Sequence, residues 1–254
     1  MICYVDMEHS RAIEGASERE DHRAHVADVK QRLEDISDAA CAVRRYKDVT
    51  HRWLQSVGAQ ALVLSGNVTE WHRYDEANLQ ELANIVREGA LPILGLCGGL
   101  QFIVIAYGGL VGPMRELRTG EEDAGQGFGS GYLKEWGFTP VRVTKQDPLF
   151  DGLQQEPVFL QAHYWEVQQV PHGFELLAST DLCSVQALRR SGTFIYGTQF
   201  HPEAYIVEPS DRDSWLIDLV YPGGYSKLQP DGRQLLANFL RLAAVLEETG
   251  PGSS

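Results

Sequence analysis

The stretch from residue 91 to residue 102 constrains the fold most strongly, because an apolar run there passes through a cysteine between glycines into a second apolar segment. The first run is short and bounded by Pro92, as is typical of a buried parallel strand. The apolar residues that follow fall at helical spacing. Glycines on both sides of Cys97 permit the sharp turn needed between the two segments. The sequence therefore predicts a nucleophile elbow with Cys97 at its tip.

Cys97 is expected at the carboxyl edge of a sheet and at the start of a helix. The dipole at a helix N-terminus favours the thiolate, which is the nucleophilic form. A cysteine is otherwise most often a small buried apolar residue, and this is what we expect of Cys3, Cys41 and Cys183. These cysteines are far apart and fit no metal-ligand spacing, so we predict reduced thiols and no metal site.

The composition suits a globular protein of one large domain. The chain has 254 residues, of which 43% are hydrophobic, and a formal net charge of -13. We predict one domain over residues 1–249 and a disordered tail over residues 250–254. The acidic balance argues against nucleic acid or an anionic membrane as the main partner. No run approaches the roughly 18 apolar residues of a membrane span, and the first residues turn acidic too soon for a signal peptide, so we expect a cytoplasmic protein.

Strands and helices alternate along the first half of the chain. Short apolar runs predict strands, and apolar residues at helical intervals predict helices. In order, these are a strand over 2–7, a helix within 8–38, a strand over 40–46, a helix over 51–57, a strand over 61–64, a helix over 71–88 and then the elbow. This order predicts an α/β fold with a doubly wound, mostly parallel sheet flanked by helices, whose ligand site lies at the carboxyl ends of the strands.

In the second half of the chain the sequence pattern changes from alternating strands and helices to a loop and short strands. Residues 120–131 are rich in glycine and acidic residues, which predicts a mobile surface loop near the active edge. The segment from 206 to 225 has an apolar patch around Trp215, which either packs on the core or docks a partner. The remaining predicted elements are short strands over 141–143, 158–160, 174–177, 185–187 and 194–196 and a closing amphipathic helix over 231–247.

A cysteine nucleophile needs a base and a group that orients the base. Both are found just after the predicted strand that ends near residue 197. His201 would stand at the end of that strand, and Glu203 lies two residues further on, where its carboxylate can hold the imidazole. A His-Pro-Glu triplet alone is a weak signal. Together with the elbow it predicts a catalytic triad of Cys97, His201 and Glu203.

Two motifs, GLCGGLQ over residues 95–101 and QFHPE over residues 199–203, resemble those of the class I glutamine amidotransferases. The order of cysteine, histidine and glutamate is that of the family, and the resemblance covers most of the chain. It implies a flavodoxin-like fold and no cofactor. It also implies that the Cys97 thiolate attacks the side-chain amide of glutamine, forming a γ-glutamyl thioester and releasing ammonia. Water activated by His201 would then yield glutamate.

The same resemblance implies how glutamine is bound. It points Gln101 at the bound glutamine and places the backbone around Tyr164 and Trp165 beside the α-amino and α-carboxylate groups. His163 is adjacent to these residues in a strand-like run. We expect it to be a core or pocket-wall histidine rather than the catalytic base.

An oxyanion hole needs two fixed N–H donors. The residue after an elbow nucleophile supplies one, here Gly98. The family takes the other from a glycine-rich turn after the third strand, which corresponds to Gly66 and Asn67. Asn67 stands where the family has a second glycine. Because asparagine tolerates left-handed backbone angles better than other side chains, we expect the oxyanion hole to survive this change.

The leading hypothesis is a glutaminase subunit that supplies ammonia to a separate synthetase, since the sequence has no Walker-type phosphate loop. An alternative is a γ-glutamyl amide or peptide hydrolase with the same triad. The bulky pair Tyr164 and Trp165, where relatives often have smaller or acidic residues, favours that alternative. A non-catalytic scaffolding role is a third possibility, which the intact triad disfavours. The sequence does not identify the acceptor of the ammonia.

Overall fold

The structure is a computed structural model that describes residues 1–125, 127–208, 217, 220–221 and 227–245. Two of the expectations above lie outside these residues. They are the role of Trp215 in the apolar patch and the disorder of the tail over 250–254.

A central sheet organises the described part of the chain. The strands in chain order are β1 (Ile2–Asp6), β2 (Cys41–Arg45), β3 (Ala61–Leu64), β4 (Ile93–Leu96), β5 (Leu110–Pro113), β6 (Glu135–Pro140), β7 (Arg142–Val143), β8 (Val158–His163), β9 (Trp165–Gln169), β10 (Phe174–Ser179), β11 (Ala187–Arg190) and β12 (Ile195–Thr198). In the central sheet they run in the order β2-β1-β3-β4-β12-β11-β10-β7. The pairings from β2 through β12 are parallel, and those of β11, β10 and β7 are antiparallel.

Helices cover both faces of this sheet, which confirms the predicted α/β fold. They are α1 (Ala16–Ser37), α2 (His51–Val57), α3 (Glu76–Glu88), α4 (Gly98–Ala106) and α5 (Asp231–Leu242). One apolar cluster joins the sheet to α1 and α5, with Leu33 and Phe239 fully buried, and another joins it to α3 through Leu82. Strands β1, β3, β4 and β12 are buried at every residue, because helices lie on both sides of them. Within the described part of the chain, none of the helices is both long and apolar enough to cross a membrane.

The predicted helix over 71–88 begins later than expected, and the helix predicted within 8–38 is preceded by a separate 3-10 turn. The segment over 71–88 is a short 3-10 turn, Trp71–Arg73, followed by α3 from Glu76. The carboxylate of Asp75 accepts a hydrogen bond from the backbone N–H of Ala77 and so caps α3 at its N-terminus. In the segment over 8–38, extended backbone at Gly15 separates α1 from a preceding 3-10 turn.

Strands β5, β6 and β9 were not expected from the sequence, and β11 begins two residues later than predicted. Strands β5 and β6 contain both glycine and proline, which are rare inside strands. Strand β9 is mostly polar. These strands pair outside the main sheet, β5 with β9 and β6 with β8. The pair formed by β6 and β8 reaches the carboxyl edge of the main sheet. There the backbone N–H of His201 donates to the Leu160 carbonyl of β8 at 2.9 Å.

Candidate active site

Cys97 stands at the sharp turn between β4 and α4, with φ 49° and ψ -103°. Residues other than glycine rarely adopt such backbone angles, because the strained conformation costs about 1–3 kcal/mol. The backbone on either side of the turn packs tightly against its neighbours because glycines flank the turn. A Cβ on Gly99 would lie 2.4 Å from the Leu64 carbonyl oxygen, and one on Gly95 would lie 2.4 Å from the Gly99 carbonyl carbon. The strand, turn and helix of the predicted elbow are therefore present.

His201 and Glu203 lie at the same edge of the sheet because β12 runs parallel to β4. Thr198 pairs with Leu96, and the Cys97 backbone N–H donates to the Thr198 carbonyl at 2.7 Å. His201 Nδ1 lies 2.8 Å from Glu203 Oε1, and these side chains are 8% and 3% exposed. Since a carboxylate accepts, Nδ1 carries the proton. His201 Nε2 has no hydrogen-bond partner among the described residues, so it is available to exchange a proton.

The electrostatics of this pair favour the charged imidazolium. Burial alone would lower the pKa of His201, but the Glu203 carboxylate and the Cys97 sulfur beside the ring outweigh burial and raise that pKa above its ordinary value. Burial acts on Glu203 in the opposite direction, and the neighbouring His201 outweighs it, so the pKa of Glu203 is lowered. The site therefore has a buried ion pair next to the cysteine.

A first chamber borders Cys97 and has about 300 Å³ of empty space, part of which is open solvent. Gln101 is in its wall. The Gln101 Oε1 accepts from Trp71 Nε1 at 2.9 Å, and its Nε2 lies 3.3 Å from both the Trp165 carbonyl oxygen and Gln199 Oε1. Gln199 Nε2 in turn lies 3.4 Å from Cys97 Sγ. A chain of hydrogen bonds thus joins the cysteine to the wall of the chamber.

Tyr164 and Trp165 also line the first chamber. The Tyr164 hydroxyl donates to Glu70 Oε1 at 3.1 Å, and its ring meets that of Phe128 edge-on at 5.1 Å. The sequence did not indicate every residue of this chamber, and Glu70 and Trp71 are among those it left out. Both follow the loop after β3, and no local pattern distinguishes them from other surface residues.

The turn after β3 brings Asn67 against Gly98. A Cβ on Gly98 would lie 3.0 Å from the Asn67 backbone nitrogen, so the two backbone N–H groups are neighbours. The suggested left-handed backbone is not found. The described non-glycine residues with positive φ do not include Asn67, and Gly66 also has an ordinary φ. Instead, Asn67 Nδ2 donates to the Thr69 carbonyl at 2.5 Å, a local bond that holds the turn without positive φ.

His163 is a core residue in the structure, as expected, with 2% exposure. Its Nδ1 lies 3.0 Å from the Trp165 carbonyl oxygen, and its Nε2 lies 3.1 Å from Glu135 Oε2. Potential ligand atoms of Glu135, His163 and Cys183 lie within 4.8 Å of one another. All of these side chains are engaged in hydrogen bonds within the protein. The cluster therefore has a structural explanation, and through the Trp165 carbonyl it supports Gln101.

Comparison with known proteins supports the family resemblance. Residues 26–213 match the model of the family described as glutamine amidotransferase class-I. A subunit of the glutamine-hydrolysing GMP synthase of Methanocaldococcus jannaschii is 35% identical over 144 residues, which are 57% of this chain and 64% of that protein. The corresponding subunit of Archaeoglobus fulgidus is 27% identical over 173 residues, covering 63% of this chain and 85% of that one.

A solved structure supports the fold. The crystal structure of a protein from Thermoplasma acidophilum, described as a GMP synthase subunit, superimposes with a TM-score of 0.62 at 24% identity, over 96% of this chain and 94% of that chain. The match to the Methanocaldococcus relative spans slightly less than two thirds of that relative's length.

Proposed function

The chain belongs to the class I glutamine amidotransferase family, and we propose that it hydrolyses the side-chain amide of glutamine through a triad of Cys97, His201 and Glu203. One observation carries the proposal. His201 is fixed by Glu203 at 2.8 Å on Nδ1, which leaves Nε2 for the Cys97 sulfur, and that sulfur lies close enough to raise the pKa of His201. That arrangement suits a base that takes a proton at one site and gives it up there.

The proposed reaction begins when the Cys97 thiolate attacks the γ-carbonyl carbon of glutamine. The Gly98 and Asn67 backbone N–H groups would donate to the oxyanion, with Gly66 permitting their approach. A Cβ on Gly66 would lie 3.2 Å from His201 Cε1, so a side chain there would crowd the base. Collapse of the intermediate gives a thioester and ammonia, and water deprotonated by His201 releases glutamate.

Glutamine is proposed to occupy the first chamber. The Gln101 side chain already donates to the Trp165 carbonyl and accepts from Trp71, so the chamber wall is set before substrate arrives. Glu70 is the acidic residue in the lining, and its carboxylate can accept from the α-amino group. Tyr164 holds that carboxylate by a hydrogen bond at 3.1 Å.

We further propose that the ammonia passes to a synthetase on a separate chain. Relatives named as one subunit of a glutamine-hydrolysing GMP synthase support this division of labour. We also propose that residues 1–249 form one domain. The central sheet includes both the first strand, β1, and the last, β12, and α5 packs on it.

Glutamate and ammonia release by the purified chain tests this proposal. We expect wild type to release both in equal amounts and Cys97→Ser to release neither at a measurable rate, because a hydroxyl is a poorer nucleophile in a site that stabilises thiolate. Cys41→Ser is the matched control, since that thiol is also buried and lines neither chamber. A Cys97→Ser variant as fast as wild type would exclude the proposed triad.

A further inference from the structure

A second chamber also borders Cys97. It has about 600 Å³ of empty space, part of which is open solvent, against about 300 Å³ by the same measure for the first chamber. The two chambers adjoin, because both are lined by Asn67, Val68, Cys97, Phe128 and Ala162. His201 and Glu203 line the second chamber and are absent from the lining of the first. The reacting sulfur therefore lies where the two chambers meet.

The position of His201 determines which part of the substrate faces the second chamber. In the proposed reaction the imidazolium gives its proton to the nitrogen that leaves the γ-carbonyl carbon. Because His201 borders the second chamber, the leaving nitrogen and any group bonded to it would point there. Ammonia is about the size of water, which occupies about 30 Å³ in the liquid. The second chamber has room for more than one molecule of this size.

The walls of the second chamber are suited to an amine with an apolar body. Tyr4 and Trp136 contribute rings, and α1 adds His22 and His25. His22 Nε2 lies 2.9 Å from Asp6 Oδ2, which fixes its ring. Burial lowers the pKa of His25 to about 4, so this ring is uncharged at neutral pH.

We propose that the second chamber binds the amine part of γ-glutamyl amides, so that the chain hydrolyses γ-glutamyl amides of primary amines with an aromatic or alkyl body as well as glutamine. The inference rests on the proposed function, because it uses the same attack by Cys97. It deepens that function by naming the class of substrate.

The steps balance as they do for glutamine. The Cys97 thiolate forms a bond to the γ-carbonyl carbon, and the C–N bond breaks as His201 Nε2–H protonates the nitrogen. The free amine remains in the second chamber. Water then attacks the thioester, gives a proton to His201 and breaks the C–S bond, which restores the thiolate. The net reaction is amide plus water to glutamate plus amine.

The test compares γ-glutamyl-benzylamide with glutamine as substrates of the full chain. His22→Trp places a large ring in the wall of the second chamber. Arg23→Trp is the matched control, because it adds the same ring at an exposed position of the same helix. We expect wild type to cleave both substrates. Pocket bulk discriminates substrates by roughly 10- to 200-fold, so His22→Trp should lower kcat/KM for the benzylamide about tenfold or more relative to glutamine, and Arg23→Trp should leave this ratio unchanged.

Failure of this inference and failure of the proposed function give different results. If wild type releases glutamate from glutamine but not from the benzylamide, the inference is overturned and the proposed function stands. If it cleaves neither substrate, the proposed function fails as well. If both are cleaved and His22→Trp leaves the ratio of the two kcat/KM values at the wild-type value while thermal unfolding shows the variant folded, the amine does not bind in this chamber.

Discussion

Replacing Glu203 with glutamine removes one charge and leaves the size of the side chain nearly unchanged. In the structure Glu203 Oε1 accepts from His201 Nδ1 at 2.8 Å, and both side chains are less than a tenth exposed. A hydrogen bond to a charged group contributes about 1.5–3 kcal/mol, and about 1.4 kcal/mol corresponds to a factor of ten in rate. We therefore expect kcat/KM for glutamine to fall roughly 10- to 150-fold in Glu203→Gln.

The same variant should change the pH dependence of activity. Burial is the largest influence on the pKa of His201 and lowers it, whereas Glu203 and Cys97 raise it. Without the carboxylate we expect the pKa of His201 to fall. Because the reaction needs the imidazolium as the acid, the alkaline limb of the kcat/KM profile should move to lower pH.

The stability difference between wild type and Glu203→Gln has a defined pH window. The raised pKa of His201 gives a stabilisation that is complete below its ordinary pKa of about 6.5 and is lost as pH rises through the raised value. The lowered pKa of Glu203 gives a stabilisation that is present above its ordinary pKa of about 4.3 and is lost as pH falls through the lowered value. The difference in the free energy of unfolding should therefore be largest between about pH 4.5 and pH 6.5.

Glutamate release measured across pH, with urea unfolding near pH 6 and at an alkaline pH, checks both expectations. His201→Ala should lose more activity than Glu203→Gln, because it removes the group that carries the proton. Glu156→Gln is a control at an exposed carboxylate. Wild-type rates and an unmoved alkaline limb in Glu203→Gln would refute the reasoning.

Three further changes test the surroundings of the triad. Gly99→Ala should destabilise the fold by about 1–3 kcal/mol or more, measured by urea unfolding, because the new Cβ would lie 2.4 Å from a carbonyl oxygen of β3; unchanged stability would contradict the close packing of the elbow. Gly98→Ala should lower kcat about 100-fold or more, since its Cβ would lie 1.7 Å from Asn67 Oδ1 and 3.0 Å from the Asn67 backbone nitrogen. Asn67→Ala in the same chain removes only the side-chain clash and should restore little of the loss, so full recovery would show that displacement of the Asn67 N–H is not the cause. Trp71→Phe removes the donor to Gln101 at 2.9 Å and should raise KM for glutamine more than it lowers kcat, so an effect on kcat alone would argue against a role in binding.

The centre of the fold was predictable because two sequence signals occur there together, short apolar runs and the glycines around Cys97. Strands buried on both faces read as short apolar runs, as in β3 and β4, and only glycines fit beside the turn at Cys97. The carboxyl ends of parallel strands meet at one edge, so the same pattern indicated that His201 would lie near Cys97. Two local motifs thus implied one long-range contact.

Other features depend on contacts that no local pattern reveals. Strands β5 and β6 form despite their glycine and proline because neighbouring strands provide the pairing. Asn67 keeps ordinary backbone angles because its side chain bonds to the Thr69 carbonyl. The hydrogen bond between Tyr164 and Glu70 joins residues 94 apart in sequence. The second chamber likewise combines α1 with distant loops.

The most direct test of the account is where a glutamine analogue with an electrophile at the γ-position attaches. Burial raises the pKa of Cys3 to about 11 and that of Cys41 to about 12, and it also raises the pKa of Cys183. These thiols stay protonated and unreactive at neutral pH. Peptide mapping by mass spectrometry should find one label per chain, on Cys97, and excess glutamine should slow its formation. A label chiefly on another cysteine, or labelling that glutamine does not slow, would contradict the assignment of Cys97 as the nucleophile.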